Sequence, residues 1–168
     1  IRDLETAQIA IQASLTGQLV LATLHTNDAA SAVTRLTDMG IEPFLLSSSL
    51  LGVLAQRLLR KSCTHCAPTL GTDVSSLPPE GAAPSWDGPA TERGGKGCSV
   101  CGHTGYLGRT GVFELLVTTD AIRAQIHHQA SEADIRAAAV ADGMALMRDD
   151  GERLVQNGIT TREELIRV

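Results

Sequence analysis

Apolar positions in the first 62 residues indicate a helix and then a strand. Residues 6–15 carry apolar side chains at helical spacing, and Gly17 follows as a residue suited to end that helix. Residues 19–22 are all apolar, which is typical of a strand buried on both faces of a parallel sheet. The pattern therefore predicts a helix that leads into an interior strand.

Two more helices are predicted before residue 62. Thr26 or Asn27 is suited to cap a helix that runs to Met39, with Gly40 after it. Pro43 suits the first turn of the next helix. The apolar face of that helix is expected to consist of Leu46, Leu50, Val53, Leu54 and Leu58. Its C-terminal end, where the dipole favours cations, would carry Arg57, Arg60 and Lys61. Helix, strand, helix, helix is the order expected of an α/β domain that lacks its front half.

The last segment is expected to open with a strand and continue with three short helices. Residues 112–117 form the strand candidate. The helix caps are Thr119 or Asp120 for the first helix, Ser131 for the second, and Thr161 with Glu164 as a capping box for the last. Gly143 and Gly158 are expected to lie between these helices.

Composition changes two parts of this picture. Aromatic residues make up only 2% of the chain, so the core is expected to be aliphatic. The formal net charge is −5, which argues against a nucleic-acid partner because such proteins usually carry a basic face.

No apolar run approaches the ~20 residues that a membrane-spanning helix needs. Ile1 is not a natural start, so we expect the sequence to open inside a longer protein.

All four cysteines lie in two CxxC pairs, Cys63 with Cys66 and Cys98 with Cys101, separated by 31 residues. Each pair can present two thiolates from one tight turn, and four sulfurs complete the shell of a tetrahedral zinc ion. Such a closed site is structural. Gly97 and Gly102 suit the turns that the site requires. The intervening stretch, residues 67–97, is rich in Gly and Pro, and its centre is predicted to be a surface loop or a disordered excursion.

Other interpretations of the cysteines remain open. They could be unrelated or form two disulfides, although a reducing compartment disfavours disulfides. Iron also accepts four thiolates. His65 and His103 lie beside the pairs and could each replace a ligand. A zinc ribbon could bind nucleic acid, but few basic or aromatic residues surround this one.

Several longer motifs resemble the ATPases of type II secretion and type IV pilus systems. They are residues 1–7 (IRDLETA), 13–17 (ASLTG), 23–27 (TLHTN), 104–111 (TGYLGRTG) and 163–168 (EELIRV). Residues 39–58 (MGIEPFLLSSSLLGVLAQRL) are more similar to the type II secretion members. The likeness covers nearly the whole chain, and only residues 67–97 depart from it.

This resemblance implies an α/β fold in three parts. Residues 1–62 are expected to be the C-terminal half of a RecA-like P-loop NTPase domain, residues 63–110 a tetracysteine zinc-binding insertion, and residues 111–168 a small, mainly helical C-terminal domain. The intact protein is expected to be a cytoplasmic homohexamer, peripheral to the inner membrane, that contacts inner-membrane secretion platform proteins. It would hydrolyse ATP with Mg²⁺ to assemble a pseudopilus. The Walker B glutamate and the phosphate-binding loop would precede Ile1, so this chain alone is expected not to turn over ATP.

The resemblance also assigns residues to the nucleotide site. His25 matches the family's histidine box and is expected to contact the γ-phosphate, both as a catalytic residue and as a nucleotide ligand. Arg2 and Glu5 are expected to position groups near the catalytic centre, and Arg57 to reach phosphate or to pair with an acidic neighbour. Two functional alternatives stay open: a type IV pilus assembly ATPase, and a zinc-stabilised binding module without enzymatic activity.

Overall fold

The computed structural model describes residues 1–67 and 95–167. The helices are α1 (Leu4–Leu15), α2 (Ala29–Asp38), α3 (Pro43–Ser49), α4 (Asp120–His127), α5 (Glu132–Ala141), α6 (Met147–Gln156) and α7 (Arg162–Arg167). The strands are β1 (Gly52–Ser62) and β2 (Tyr106–Val117). Most of the predicted loop at 67–97 lies outside the described residues.

The chain divides into two compact units. The first unit contains Ile1–Gln56 and Phe113–Met147, and the second contains Arg57–Val112 and Arg148–Val168. Both strands contribute residues to both units. The three-part division at residues 62 and 110 stays a prediction about domains.

Strands β1 and β2 pair in one two-stranded sheet. The backbone N–H of Thr118 donates to the carbonyl of Leu51 at 3.0 Å, and the N–H of Cys63 donates to the carbonyl of Gly105 at 2.9 Å. The start of each strand therefore lies opposite the end of the other, and the pair is antiparallel. The sequence had predicted only residues 112–117 of β2, and the strand begins six residues earlier, at Tyr106.

Helix α1 confirms the first predicted helix. Its N-cap is Asp3, whose side chain accepts a hydrogen bond from the backbone N–H of Thr6 at 2.8 Å. Gly17 follows the helix with a φ of +94°, the left-handed backbone that favours glycine. The buried face presents Ala7 and Ile11, one turn apart.

The strand predicted at residues 19–22 is not formed. The segment 18–26 has no regular structure, and Leu19 and Leu21 are 74% and 88% exposed. A strand requires a backbone partner, and no strand among the described residues pairs with this segment. Continuous apolar character alone therefore did not produce a strand here.

The second helix begins slightly later than predicted. Asp28, not Thr26 or Asn27, caps α2, because its side chain accepts from the N–H of Ser31 at 2.8 Å. The Ser31 hydroxyl accepts in turn from the N–H of Asp28 at 3.3 Å and completes a capping box.

The long third helix was a wrong prediction. Helix α3 ends at Ser49, and β1 begins at Gly52, so Arg57, Arg60 and Lys61 lie on a strand and not at a helix end. A Cβ atom at Gly52 would lie 2.8 Å from the carbonyl oxygen of Leu116, which shows how closely the two strands approach. The apolar spacing after Pro43 fits both a helix and an alternating strand, and this pairing decides between them.

The core of the first unit is aliphatic, as predicted. It consists of Ala7, Ile11, Ala29, Ala30, Val33, Leu36, Ile41, Leu46, Leu116, Ile122, Ile126, Ile135 and Ala139. Phe44 and Phe113 are 54% and 44% exposed, so the two phenylalanines do not fill this core.

The caps after β2 largely agree with prediction. Thr119 caps α4 and Ser131 caps α5. The hydroxyl of Thr161 accepts from the N–H of Glu164, but the carboxylate of Glu164 binds arginines instead of completing the box. Helix α6 is an additional helix, so four and not three follow β2 in the described residues. None of the helices in residues 1–67 and 95–167 is long and apolar enough to cross a bilayer.

Candidate metal centre and nucleotide-site residues

The four cysteines are carried by two short turns in the second unit. Cys63 directly follows β1, and the N–H groups of Cys66 and Ala67 both donate to its carbonyl, at 3.3 and 2.8 Å. Cys98 and Cys101 bracket a single 3₁₀ turn just before β2. The antiparallel strands therefore bring the two CxxC pairs to the same end of the sheet.

The sulfur atoms have the spacing of a metal shell. All four lie within 4.8 Å of one another. Cys63 and Cys98 are 4.0 Å apart, and Cys101 is 3.8 Å from both Cys66 and Cys98. Four sulfurs at about 2.3 Å from a central zinc ion would be about 3.8 Å apart at the corners of a tetrahedron. A disulfide needs a sulfur separation of about 2.05 Å, and all four cysteines are free. The donor set fits one tetrahedral ion.

Backbone amides stabilise negative charge at one of the sulfurs. The N–H groups of Cys98 and Gly105 donate to Cys101 Sγ at 3.2 and 3.3 Å. These bonds, the one from Cys98 foremost, lower the pKa of the Cys101 thiol to about 6. Burial raises the pKa of the Cys66 thiol to about 12. The amide donors thus favour the thiolate form of Cys101, whereas burial opposes ionisation of Cys66.

Glycines allow the backbone to close around the sulfurs. Gly97 and Gly102, predicted to serve the turns, have φ angles of +88° and +59°. A Cβ at Gly95 would lie 2.5 Å from Cys66 Sγ. Gly105 has a φ of +76°, and a Cβ there would collide with the carbonyl of Gly95. Gly95 and Gly105 were not predicted to serve these turns, because only the folded backbone shows which glycines face a sulfur.

The two neighbouring histidines do not join the cysteine cluster. His65 and His103 are exposed, and the metal-binding group found among the described residues consists of the four cysteines alone. The candidate shell is therefore made of sulfur only.

Three predicted nucleotide-site residues belong to the first unit. His25 lies in the irregular segment after residue 18, Arg2 just precedes the cap of α1, and Glu5 is in the first turn of α1. All three are exposed. The amino nitrogen of Ile1 donates to the carbonyl of Thr23 at 2.5 Å, which brings the chain start next to the segment that carries His25.

Arg57 is placed differently from the prediction. It lies half-buried on β1 and belongs to the second unit. Its binding role, like the catalytic roles of His25, Arg2 and Glu5, stays a prediction.

Sequence reasoning missed Glu114, a buried carboxylate on β2. It is only 4% exposed, on the same face as Val112 and Leu116. Its two oxygens accept from the backbone N–H groups of Ala29 at 3.0 Å and of Met147 at 3.2 Å. The alternation of residues 112–117 was the available signal, since it puts Glu114 on the apolar face of the strand. Glu114 fixes the start of α2, which follows the His25 segment.

Solved structures with the same fold define the class of protein. The pilus retraction motor PilT with bound ADP is 25% identical to this chain and superposes with a TM-score of 0.64, over 99% of this chain and 37% of PilT. The ATPase DotB of Legionella pneumophila has a TM-score of 0.62 at 19% identity, over 99% of this chain and 36% of DotB, and supports the fold alone. The chain has the fold of a section of these two ATPases, as expected from the RecA-like prediction.

The family follows from sequence comparison. Residues 1–167 match the family described as Type II/IV secretion system protein, and the chain belongs to this family. It is 57% identical to Type II secretion system protein HxcR of Pseudomonas aeruginosa and 52% identical to Type II secretion system ATPase E of Vibrio cholerae, over its full length. It is 48% identical over 99% of its length to the type IV pilus assembly ATPase PilB of Thermus thermophilus. The chain spans 32%, 33% and 19% of these three relatives.

Proposed function

We propose that this chain is part of an ATPase that powers type II protein secretion by assembling a pseudopilus. The observation that carries the proposal is the full-length identity of 57% and 52% to two proteins named for type II secretion. A type IV pilus assembly ATPase remains the second candidate, because PilB is nearly as similar at 48%. The working form is proposed to be a cytoplasmic homohexamer bound to platform proteins of the inner membrane.

His25 is proposed to contact the γ-phosphate of ATP. The family's Walker B glutamate comes directly before the residue that matches Ile1. The hydrogen bond from Ile1 to Thr23 supports the proximity of this glutamate to the segment that carries His25. Bound ATP and Mg²⁺ supply the phosphoryl group and the charge that neutralises it. The His25 imidazole donates a hydrogen bond to the phosphate, while Arg2 and Glu5 orient groups around it. Arg57 is proposed to reach phosphate or to pair with a carboxylate.

The chain contains no GxxxxGK[ST] motif, whose amides and lysine cradle phosphates in P-loop proteins. We therefore expect the 168-residue chain alone not to release phosphate from ATP. Phosphate release above that of a His25→Ala variant of the same chain would contradict this expectation.

The cysteine cluster is proposed to hold one structural zinc ion. Cys63, Cys66, Cys98 and Cys101 fill all four positions, which leaves none for water or substrate. The ion would tie the two ends of the stretch between the CxxC pairs together. Elemental analysis of the purified protein distinguishes zinc from iron.

The catalytic proposal is tested by steady-state ATP hydrolysis with the protein that contains the phosphate-binding loop. We expect His25→Ala to lower kcat by on the order of a hundredfold, since removing a preorganised donor to a developing charge has an effect of this size. His128→Ala is the matched control, because His128 is an exposed histidine at the C-terminal cap of α4. Equal turnover in the two variants would reject the role of His25.

Complementation in cells distinguishes the two proposed functions, type II secretion and type IV pilus assembly. In a strain that lacks the gene, we expect the full-length gene to restore export of a secreted enzyme and not surface piliation. Restored piliation without export would favour the pilus assembly ATPase.

A further inference from the structure

The C-terminal helix carries a buried carboxylate, Glu164, that pairs with Arg60, three residues before Cys63. The side chain of Glu164 is fully buried. Its Oε2 accepts from Nε and Nη2 of Arg60 at 3.0 and 2.7 Å, and Arg167 donates to both of its oxygens at 2.9 and 2.6 Å. A buried carboxylate with two arginine partners holds its neighbours in a defined geometry, because leaving the buried carboxylate unpaired is costly.

The same C-terminal segment binds the backbone that leads into Cys63. The N–H of Arg60 donates to Glu164 Oε1 at 3.1 Å, and the carbonyl of Arg60 accepts from the Thr160 hydroxyl at 2.8 Å. The N–H of Ser62 donates to the carbonyl of Ile159 at 2.8 Å. The residues just before the first cysteine are therefore fixed by hydrogen bonds to residues 159–164.

The segment also binds the backbone that leaves the second cysteine pair. The Tyr106 hydroxyl lies 2.8 Å from the Thr161 hydroxyl, and the guanidinium carbon of Arg60 lies 4.2 Å from the centre of the Tyr106 ring. Tyr106 follows Gly105, whose N–H donates to Cys101 Sγ and whose carbonyl accepts from the N–H of Cys63. Both chain segments that flank the cysteines thus contact residues within the segment 159–164, Arg60 and Ser62 through Ile159, Thr160 and Glu164, and Tyr106 through Thr161.

We propose that residues 159–164, here called the C-terminal clamp, hold the two CxxC pairs at the spacing that a metal ion requires, with Glu164 as a positioning residue. The pairs are 31 residues apart in sequence, and the antiparallel strands bring them to the same end of the sheet. The clamp then fixes the distance between them before the ion arrives, which lowers the ordering cost of binding. This inference rests on the proposed metal site and adds a determinant of its affinity outside the four ligands.

The test measures how fast the purified, zinc-loaded protein transfers zinc to a chromophoric chelator under native conditions. We expect Glu164→Gln to release zinc about tenfold or more faster than the wild type, because partners outside the ligand shell commonly change metal affinity 10–100-fold. Glu163→Gln is the matched control, since Glu163 is exposed on the same helix, and we expect it to match the wild type. Glu164→Asp, which keeps the charge, should release zinc at an intermediate rate.

A second variant removes one contact and leaves the ion pair in place. Tyr106→Phe loses the hydrogen bond to Thr161 and keeps the ring under Arg60. We expect it to speed zinc release several-fold. Should Glu164→Gln not fold, Tyr106→Phe carries the test.

The outcomes separate the clamp from the metal site. A wild-type protein that binds no metal in its cysteine cluster would overturn the proposed site, and the clamp with it. A wild-type protein that binds one zinc ion while Glu164→Gln and Glu163→Gln release it at the same rate would overturn the clamp alone. Unfolding rates, followed by circular dichroism in the same samples, separate a specific effect on zinc binding from a general loss of stability. Zinc release that rises only in proportion to unfolding would reduce Glu164 to a purely structural role and also overturn the clamp.

Discussion

The Glu114 carboxylate lies 3.0 Å from the backbone nitrogen of Ala29, the first residue of α2. A second hydrogen bond, from the N–H of Met147, occupies its other oxygen. Charge in an aliphatic core is normally unfavourable, but two amide donors and the positive end of the α2 dipole offset the lost hydration. Glu114, a charged residue on the buried face of β2, therefore fixes the backbone at the start of α2.

This arrangement predicts graded losses of stability. Glu114→Gln keeps acceptor capacity and loses the charge, so we expect the free energy of unfolding to fall by about 1–2 kcal/mol. Glu114→Ala leaves two buried N–H groups without acceptors, and we expect a loss of about 2–4 kcal/mol. Urea titrations measure both values. Asp120→Ala is the control at a fully exposed carboxylate and should change stability by less than about 1 kcal/mol. Equal stability of Glu114→Ala and Asp120→Ala would contradict the stabilising role of the Glu114 carboxylate.

The ion pairs of Glu164 make the stability of the second unit depend on pH in the acidic range. Hydrogen bonds from Arg167, and then from Arg60, lower the pKa of Glu164 from its ordinary 4.5 to about 2. Because the folded pKa is the lower one, the contribution to stability is complete above pH 4.5 and is lost as the pH falls toward 2. A shift of this size corresponds to about 3 kcal/mol.

We therefore expect the stability difference between wild type and Glu164→Gln to shrink as the pH falls through this window. Urea titrations from pH 6 to pH 2 would measure the difference. Glu163→Gln should parallel the wild type at every pH. A difference between wild type and Glu164→Gln that stays constant down to pH 2 would show that the charge of Glu164 does not stabilise the fold.

Several local signals were interpreted correctly, although the cap of α2 was placed one or two residues too early and α6 was missed. Signals that depend on distant partners were not recognised. Ser131 and Thr119 were recognised as caps because a cap binds an N–H only two or three residues away. The CxxC pairs were recognised because their spacing is itself local. Strand β1 was mistaken for the continuation of α3, since its pairing with β2 involves residues far along the chain, from Leu51 with Thr118 at one end to Cys63 with Gly105 at the other. The contacts of Glu164 with Arg60 span 104 positions and left no sequence pattern.

The glycines around the cysteines provide a third prediction. Gly105→Ala introduces a Cβ that collides with the Gly95 carbonyl, so Gly105 must move away from Cys101 and Cys63. We expect the purified variant to contain less than half of the wild-type zinc by elemental analysis. Gly102→Ala is the matched control, because Gly102 also has a positive φ but nothing lies within 4 Å of its added Cβ. It should retain zinc at a cost of about 1 kcal/mol in backbone strain. Loss of zinc from both variants alike would point to strain in the turns and not to the collision.

The exposed side of the sheet in the first unit predicts self-association of the 168-residue chain. Gly52 lies opposite Val117, which places Leu54 opposite Leu115, and these two leucines are 61% and 53% exposed. Adjacent exposed apolar side chains on a sheet favour association with other molecules. We expect Leu115→Lys to shift the chain toward smaller species in analytical ultracentrifugation, with a urea midpoint close to that of the wild type. Leu116→Lys, one residue along on the buried face, should unfold the chain because Leu116 is 0% exposed. If Leu115→Lys left the distribution of species in ultracentrifugation unchanged, this surface would not cause the association.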